Sequence, residues 1–239
     1  MVLQPLILGL DVSTACTGVS VISTDGSVLY CGYVDLSKVK GTSELGELFE
    51  KLQKVTDRIA SLPQLQGIVR VGIEAPIYAT GKSNATTVTK LIRFNTLVAE
   101  WCWRNLHILP TLLPAHEARV RSFPELMDVR CAGKDGKAYQ KSKVVQSLKK
   151  GNLVAFGAYP YDCDRKEVMM DLVESRYGRM FDRKDKRNYD ACDSLVVALA
   201  VNSIDQHPKV LSWRETPTGL EYTVQAGTRE IERSVTLCS

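Results

Sequence analysis

The chain has 239 residues, 44% of them apolar and 24% charged, the balance of an ordinary globular protein with material for one well-buried domain. No apolar run reaches membrane-spanning length and the N-terminus lacks the basic, apolar and small-residue succession of a secretory signal, so neither a membrane span nor secretion is expected. The net charge of +4 is uneven: 17 Lys/Arg face 11 Asp/Glu between Glu117 and Arg187, and 14 face 16 elsewhere, which fits a polyanionic partner or a solvated charged surface.

Leu6–Asp11 is an apolar run ended by an acid and reads as a central strand. A small polar turn, Val12–Gly18, leads to a second strand, Val19–Ser23. Asp25-Gly26 is a hairpin signal before a third, Val28–Val34. Thr42 or Ser43 can cap a helix running to about Ser61, with Leu45, Leu48, Phe49, Leu52, Val55, Ile59 and Leu62 as one core-facing stripe. Ile68–Glu74 reads as a strand ended by Ala75-Pro76. A loop at Gly81–Asn84 precedes a long helix from Thr86 to Arg104 bearing Val88, Leu91, Ile92, Leu97, Val98 and Trp101. Ile108–Leu113 is a further strand, closed by Pro114.

A short helix is expected near His116, then a basic loop at Ala132–Lys137 and a helix at Lys141–Lys150 with its lysines outward. Arg165–Tyr177 reads as another helix, with Val168, Met169, Leu172 and Val173 on its apolar face. Arg183–Arg187 is a charge run. From Asn188 the apolar stretch through Val201 has no Gly or Pro and reads as a buried helix. Leu220–Val224 and Ile231–Leu237 read as strands without a place. Seven scattered cysteines, with no Cys-x-x-Cys, point to reduced thiols in a cytoplasmic or other reducing compartment and against a zinc site.

Four carboxylates stand at element ends: Asp11, Glu74, and the pair Asp190 and Asp193. The pair is three residues apart on one face of a helix start, where like charges repel. A divalent cation would relieve that repulsion, and hard oxygen ligands suit Mg²⁺ or Mn²⁺. The plainer alternative is a capping pair, with Asp190 at the N-cap and Asp193 at N3; for Glu74 it is a solvated strand end. If strand ends and helix start meet at one rim, the four acids would cradle two cations about 3.5–4 Å apart, the spacing of two-metal phosphoryl chemistry.

Ile7–Asp11 with Thr17–Ile22, then Ile73-Glu74, then Asp190-Ala191-Cys192-Asp193-Ser194-Leu195 resemble, in order, the RuvC-like Holliday junction resolvases of the ribonuclease H-like superfamily. The resemblance implies an α/β fold: a ribonuclease H-like mixed five-stranded sheet, three antiparallel strands then parallel ones, flanked by helices. It implies Asp11, Glu74, Asp190 and Asp193 as catalytic, metal-binding acids, with two Mg²⁺ per active site and Mn²⁺ able to substitute. It implies a homodimer that nicks a four-way DNA junction symmetrically, leaving 5′-phosphate and 3′-hydroxyl ends.

Leu113–Val120 and Gln140–Gln146 are similar to the family's strand-to-helix step and following helix. This makes Arg119, Lys141 and Lys143 candidates for gripping phosphates, with solvated side chains as the alternative. Tyr78 is the nearest counterpart of the family's aromatic beyond the strand acid, offset by one position. A nuclease domain over 1–206, an insertion at about 151–187 and an extension over 207–239 are expected, longer than a compact member, as in viral or organellar relatives. Two rival readings exist. A sugar kinase or actin-like ATP-binding domain shares the sheet topology, but its Gly-rich adenosine motif is missing. A non-catalytic junction-binding module would not need all four acids.

Overall fold

The computed structural model describes residues 4–76, 85–123, 164–203, 209–217, 219–226 and 229–236. The chain divides into two compact units, Met1–Ala118 with Met169–Asn202, and Arg119–Val168 with Ser203–Ser239.

In the first unit, β1 (Leu6–Asp11), β2 (Cys16–Ser23) and β3 (Val28–Asp35) form an antiparallel meander. The β2–β3 turn needs glycine: Gly26 has φ 91° and its N–H donates to Ser23 O at 2.9 Å, while Asp25 Oδ1 accepts from Ser27 N at 2.8 Å. β4 (Ile68–Glu74) then pairs parallel with β1, and β5 (Thr111–Leu113) parallel with β4, giving the order β3-β2-β1-β4-β5. This is the mixed sheet expected from the sequence. β5 begins three residues later than expected. His107 takes a left-handed conformation (φ 56°) and Pro110 offers no N–H to a ladder.

Alternation sorts the strand residues onto two faces. Leu8, Leu10, Val19, Val21, Val71 and Ile73 share a core with α1 (Glu44–Ala60) and α2 (Ala85–Leu106). Helix α1 starts where Ser43 Oγ accepts from Gly46 N at 3.1 Å. It seats Leu48, Val55 and Ile59, together with Lys51; Leu45 and Phe49, expected in the stripe, are exposed instead. On α2 the buried column is Phe94, Val98 and Cys102, joined by Asn95, and the leucines predicted for that face lie half-buried at its edges.

The opposite face of the sheet carries α5 (Asn188–Asn202), buried without a break from Ala191 to Val201, as a helix apolar all round must be. Helix α4 (Arg165–Tyr177) buries Met169, Met170 and Val173. α3 (Ala115–Ser122) follows β5. In the second unit, β6 (Lys209–Thr216), β7 (Gly219–Ala226) and β8 (Arg229–Thr236) form an antiparallel meander. The sequence suggested only the last two of these strands, because Lys209, Ser212, Arg214 and Glu215 break the apolar alternation of β6.

Candidate metal centre

Asp11 closes β1 and Glu74 closes β4. The two strands are parallel and in register at Gly9↔Gly72 and Leu10↔Ile73. Each acid therefore stands two residues beyond a paired glycine, on the same face and at the same rim.

The glycines decide how close α5 comes. A Cβ on Gly9 would collide with Ser194 O and lie 2.7 Å from Ala198 Cβ. One on Gly72 would strike Val201 and come within 2.8 Å of Val197 Cγ1, and one on Gly18 would strike the carbonyl of Asp190. The helix thus rests in a trench floored by these glycines. Ser20 of β2 fixes its rotation: its Oγ lies 2.7 Å from Ser194 Oγ, both residues being fully buried. Asp193, Val197 and Val201 form one i, i+4, i+8 column, and its upper members rest against Gly72. Asp193, one turn earlier, falls beside the acid that follows Gly72.

One carboxylate oxygen each from Asp11, Glu74 and Asp193 accordingly lie within 4.8 Å of one another. Asp193 is 6% exposed, and the other two are half-buried. Three anions so placed repel by about 3 kcal/mol per pair at the effective dielectric of a partly buried site. Three hard oxygens around one point suit a divalent cation such as Mg²⁺ or Mn²⁺, which removes that repulsion.

Asp190 is not one of the three. The helix begins at Asn188, so Asp190 lies in its first turn and does not precede it as an N-cap; the capping-pair alternative gives way here. It belongs to the neighbouring column, over Gly18 of β2. Its side chain hydrogen-bonds the thiol of Cys16, the first residue of β2. Burial, that bond, and the charges of Asp190, Asp35 and Asp11 all push the Cys16 thiol upward, so it stays protonated and donates. Asp11, a member of the triad, thus also lies within electrostatic reach of the Cys16–Asp190 pair.

The lead-in to α5 is latched twice. Arg183 pairs with Asp171 (2.7 Å) and Glu174 (2.6 Å) of α4. Arg187 pairs with Asp185 and Asp35, each at 2.8 Å, and stacks over the ring of Tyr33, whose hydroxyl donates to Asp185 at 2.6 Å. The arginines of the 183–187 charge run are engaged with carboxylates. Of the other sequence-derived candidates, Arg119 lies half-buried on α3 in the second unit. Tyr78, Lys141 and Lys143 lie outside the described residues.

Cys16, Ser20 and the three glycines join the site as residues that no charge pattern marks. Two of the glycines do carry a signal: Gly9-Leu10-Asp11 and Gly72-Ile73-Glu74 repeat Gly-apolar-acid at two strand ends. A glycine inside an apolar strand marks close approach of another backbone. The described cysteines Cys16, Cys31, Cys102 and Cys192 are free thiols. Among the described residues no helix is long and apolar enough to cross a membrane.

No family model matches the sequence, and no curated protein matches it. Solved structures do match. Thermus thermophilus RuvC shares 12% identity at a TM-score of 0.47, over 84% of this chain and 95% of that one. The T. thermophilus RuvC in complex with a Holliday junction substrate shares 9% at 0.50, over 84% and 96%. The yeast mitochondrial Holliday junction resolvase Ydc2 shares 10% at 0.42, over 83% and 78%. With the strand order above, the complexed structure establishes that this chain has the RuvC-like, ribonuclease H-like fold.

Proposed function

We propose that the chain is a metal-dependent, structure-selective endonuclease that resolves four-way DNA junctions by paired symmetric nicks. The single observation that supports this most is the convergence of Asp11, Glu74 and Asp193 at the carboxyl ends of two parallel strands. A structural role for three such acids is hard to sustain, since two asparagines or serines would serve without mutual repulsion. The match to a RuvC structure bound to a Holliday junction substrate is consistent with branched DNA as the ligand.

In this reading Asp11, Glu74 and Asp193 would hold Mg²⁺, and Asp190 would help to hold a second ion, with Mn²⁺ able to replace either. Bound there, such ions would supply Lewis acidity toward the attacking water and the charge on the phosphate. The chain's own task is to fix the acids before DNA arrives: the trench sets the helix height, the Ser20–Ser194 contact its rotation, and Cys16 holds Asp190. Arg119, Lys141 and Lys143 are proposed to grip scissile-strand phosphates and Tyr78 to pack at the opened junction centre. A homodimer supplies two sites for a two-fold substrate.

The test is incubation of the protein with labelled four-way junction and linear duplex, with Mg²⁺ or with chelator. Paired nicks in the junction alone, only with Mg²⁺, are expected. Junction binding without metal-dependent nicking would leave a binding module, and ATP turnover without DNA would favour the kinase-like alternative.

A further inference from the structure

Two polar side chains occupy core positions on the α1/α2 side of the sheet, where leucine would be cheaper. Asn95 of α2 is 4% exposed and Lys51 of α1 is 6% exposed. Burying an amide or an ammonium costs free energy unless every polar atom finds a partner. Both reach a main-chain carbonyl, one at the last residue of an acid-bearing strand and the other in the loop that follows one. Asn95 Nδ2 donates to the carbonyl of Glu74 itself at 3.1 Å. Lys51 Nζ donates to the carbonyl of Thr14, three residues past Asp11, at 2.7 Å.

The surroundings make these bonds firm. Glu47 Oε1 accepts from Lys51 at 2.5 Å and from Lys90 of α2 at 2.9 Å, so α1 and α2 are cross-linked behind the lysine. The loop that Lys51 grips is braced from within: Ser13 Oγ donates to Cys16 O at 2.7 Å, and Ala15 O accepts from Leu36 N at 2.9 Å. At the other strand end, Ala75 N donates to Leu113 O at 2.8 Å while Asn95 takes the preceding carbonyl. The peptide following Glu74 is therefore held at both its polar atoms, by β5 and by α2.

We propose that Asn95 and Lys51 are positioning residues that set the carboxylates of Glu74 and Asp11 at metal-binding distance by pinning the main chain at Glu74 and Thr14. This rests on the metal-dependent reading of the rim. A small hard cation tolerates little ligand misplacement. Pins on the backbone from the far face act through the acids and touch neither metal nor DNA.

The experiment is calorimetric titration of the whole protein with MnCl₂, without DNA, alongside thermal unfolding. Asn95→Leu keeps size and removes the donor; it is expected to weaken Mn²⁺ binding about tenfold, and Lys51→Met about fivefold. Val98→Ala, a core truncation one turn from Asn95 with no polar bond, should lower Tm yet hold Mn²⁺ affinity within about twofold. Mn²⁺ affinity of Asn95→Leu within twofold of the parent, or an equal loss in Val98→Ala, overturns the proposal. If Asn95→Leu does not fold, unchanged Mn²⁺ affinity in Lys51→Met overturns it. A parent that binds no Mn²⁺ removes the nuclease reading and this inference together, whereas a parent that binds while both variants match it removes this inference alone.

Discussion

The two faces of the five-stranded sheet solve opposite problems. On one, Leu8, Leu10, Ile73 and Phe94 fill the gap to α1 and α2 with volume, and the helices stand off by the length of large side chains. On the other, Gly9, Gly18 and Gly72 empty the gap, and α5 lies almost backbone to backbone on the strands. Stand-off packing tolerates exchange among apolar residues of similar size. Close packing tolerates little, because the obstacle is a carbonyl at Gly9 and Gly18 and the methyls of two buried valines at Gly72. Only the close face can bring a carboxylate from a helix against carboxylates from strand ends, and it is there that Asp11, Glu74 and Asp193 meet.

The sharpest way to break this contrast is at the acids. Asp11→Asn, Glu74→Gln or Asp193→Asn is expected to reduce junction nicking by about a thousandfold or more, roughly 4 kcal/mol of transition-state stabilisation, with junction binding in chelator retained. Retained nicking in any one variant, read on a denaturing gel, would remove that residue from the site. Next comes the trench. Gly9→Val should cost about 3 kcal/mol because neither Ser194 O nor Ala198 can retreat without lifting α5. Chemical denaturation measures it, and a wild-type midpoint would mean that the helix does not rest where Gly9 leaves room.

On the stand-off face, Leu48→Ala removes a fully buried side chain and should cost about 2–3 kcal/mol while leaving Mn²⁺ affinity unchanged. An equal loss of metal binding would show that any loosening of this face reaches the acids, and not only loss of the bonds from Asn95 and Lys51. A smaller effect has the opposite sign. In chelator, Asp193→Asn removes two of the three pairwise repulsions but also contacts of the carboxylate itself, so Tm should rise by only a few degrees, about 1 kcal/mol net; a fall in Tm would mean that the triad is not under charge strain.

The smallest effect is in acid. Lysine contacts from Lys51 and Lys90 hold Glu47 down from 4.5 to about 2, and bonds from Ser37, with Arg187 beside them, hold Asp35 at about 2. Both groups are lower in the folded chain, so their contributions are present above their ordinary values and fade as pH falls toward 2. Stability against pH should decline through that window. Lys51→Met should shrink the Glu47 share on one face, and Arg187→Met the Asp35 share on the other. A flat profile in the parent would show that these contacts do not persist in solution.

Much of this was legible in the residues because it is local. Alternation and apolar runs gave β1 to β4, helical spacing gave α1 and α4, and a stretch apolar on every side announced α5. Acids at strand ends and at a helix start marked four positions to watch. The misplacements also have local causes. Leu45 and Phe49 share the period of α1's stripe, but the helix turns Lys51 inward in their stead, a choice made by a carbonyl on a distant loop. The strand β6 is polar enough to hide.

By itself, the sequence determined most of the described strands and helices, β6 apart, and which side chains carry charge, since those follow from the chemistry of neighbours along the chain. Only the tertiary structure decided that Asp193 meets Asp11 and Glu74 while Asp190 turns to Cys16. Those aspartates are three residues apart on one helix and alike in chemistry. What separates them is the glycine beneath each column, Gly18 set by pairing with the neighbouring β1 and Gly72 by pairing between segments some sixty residues apart.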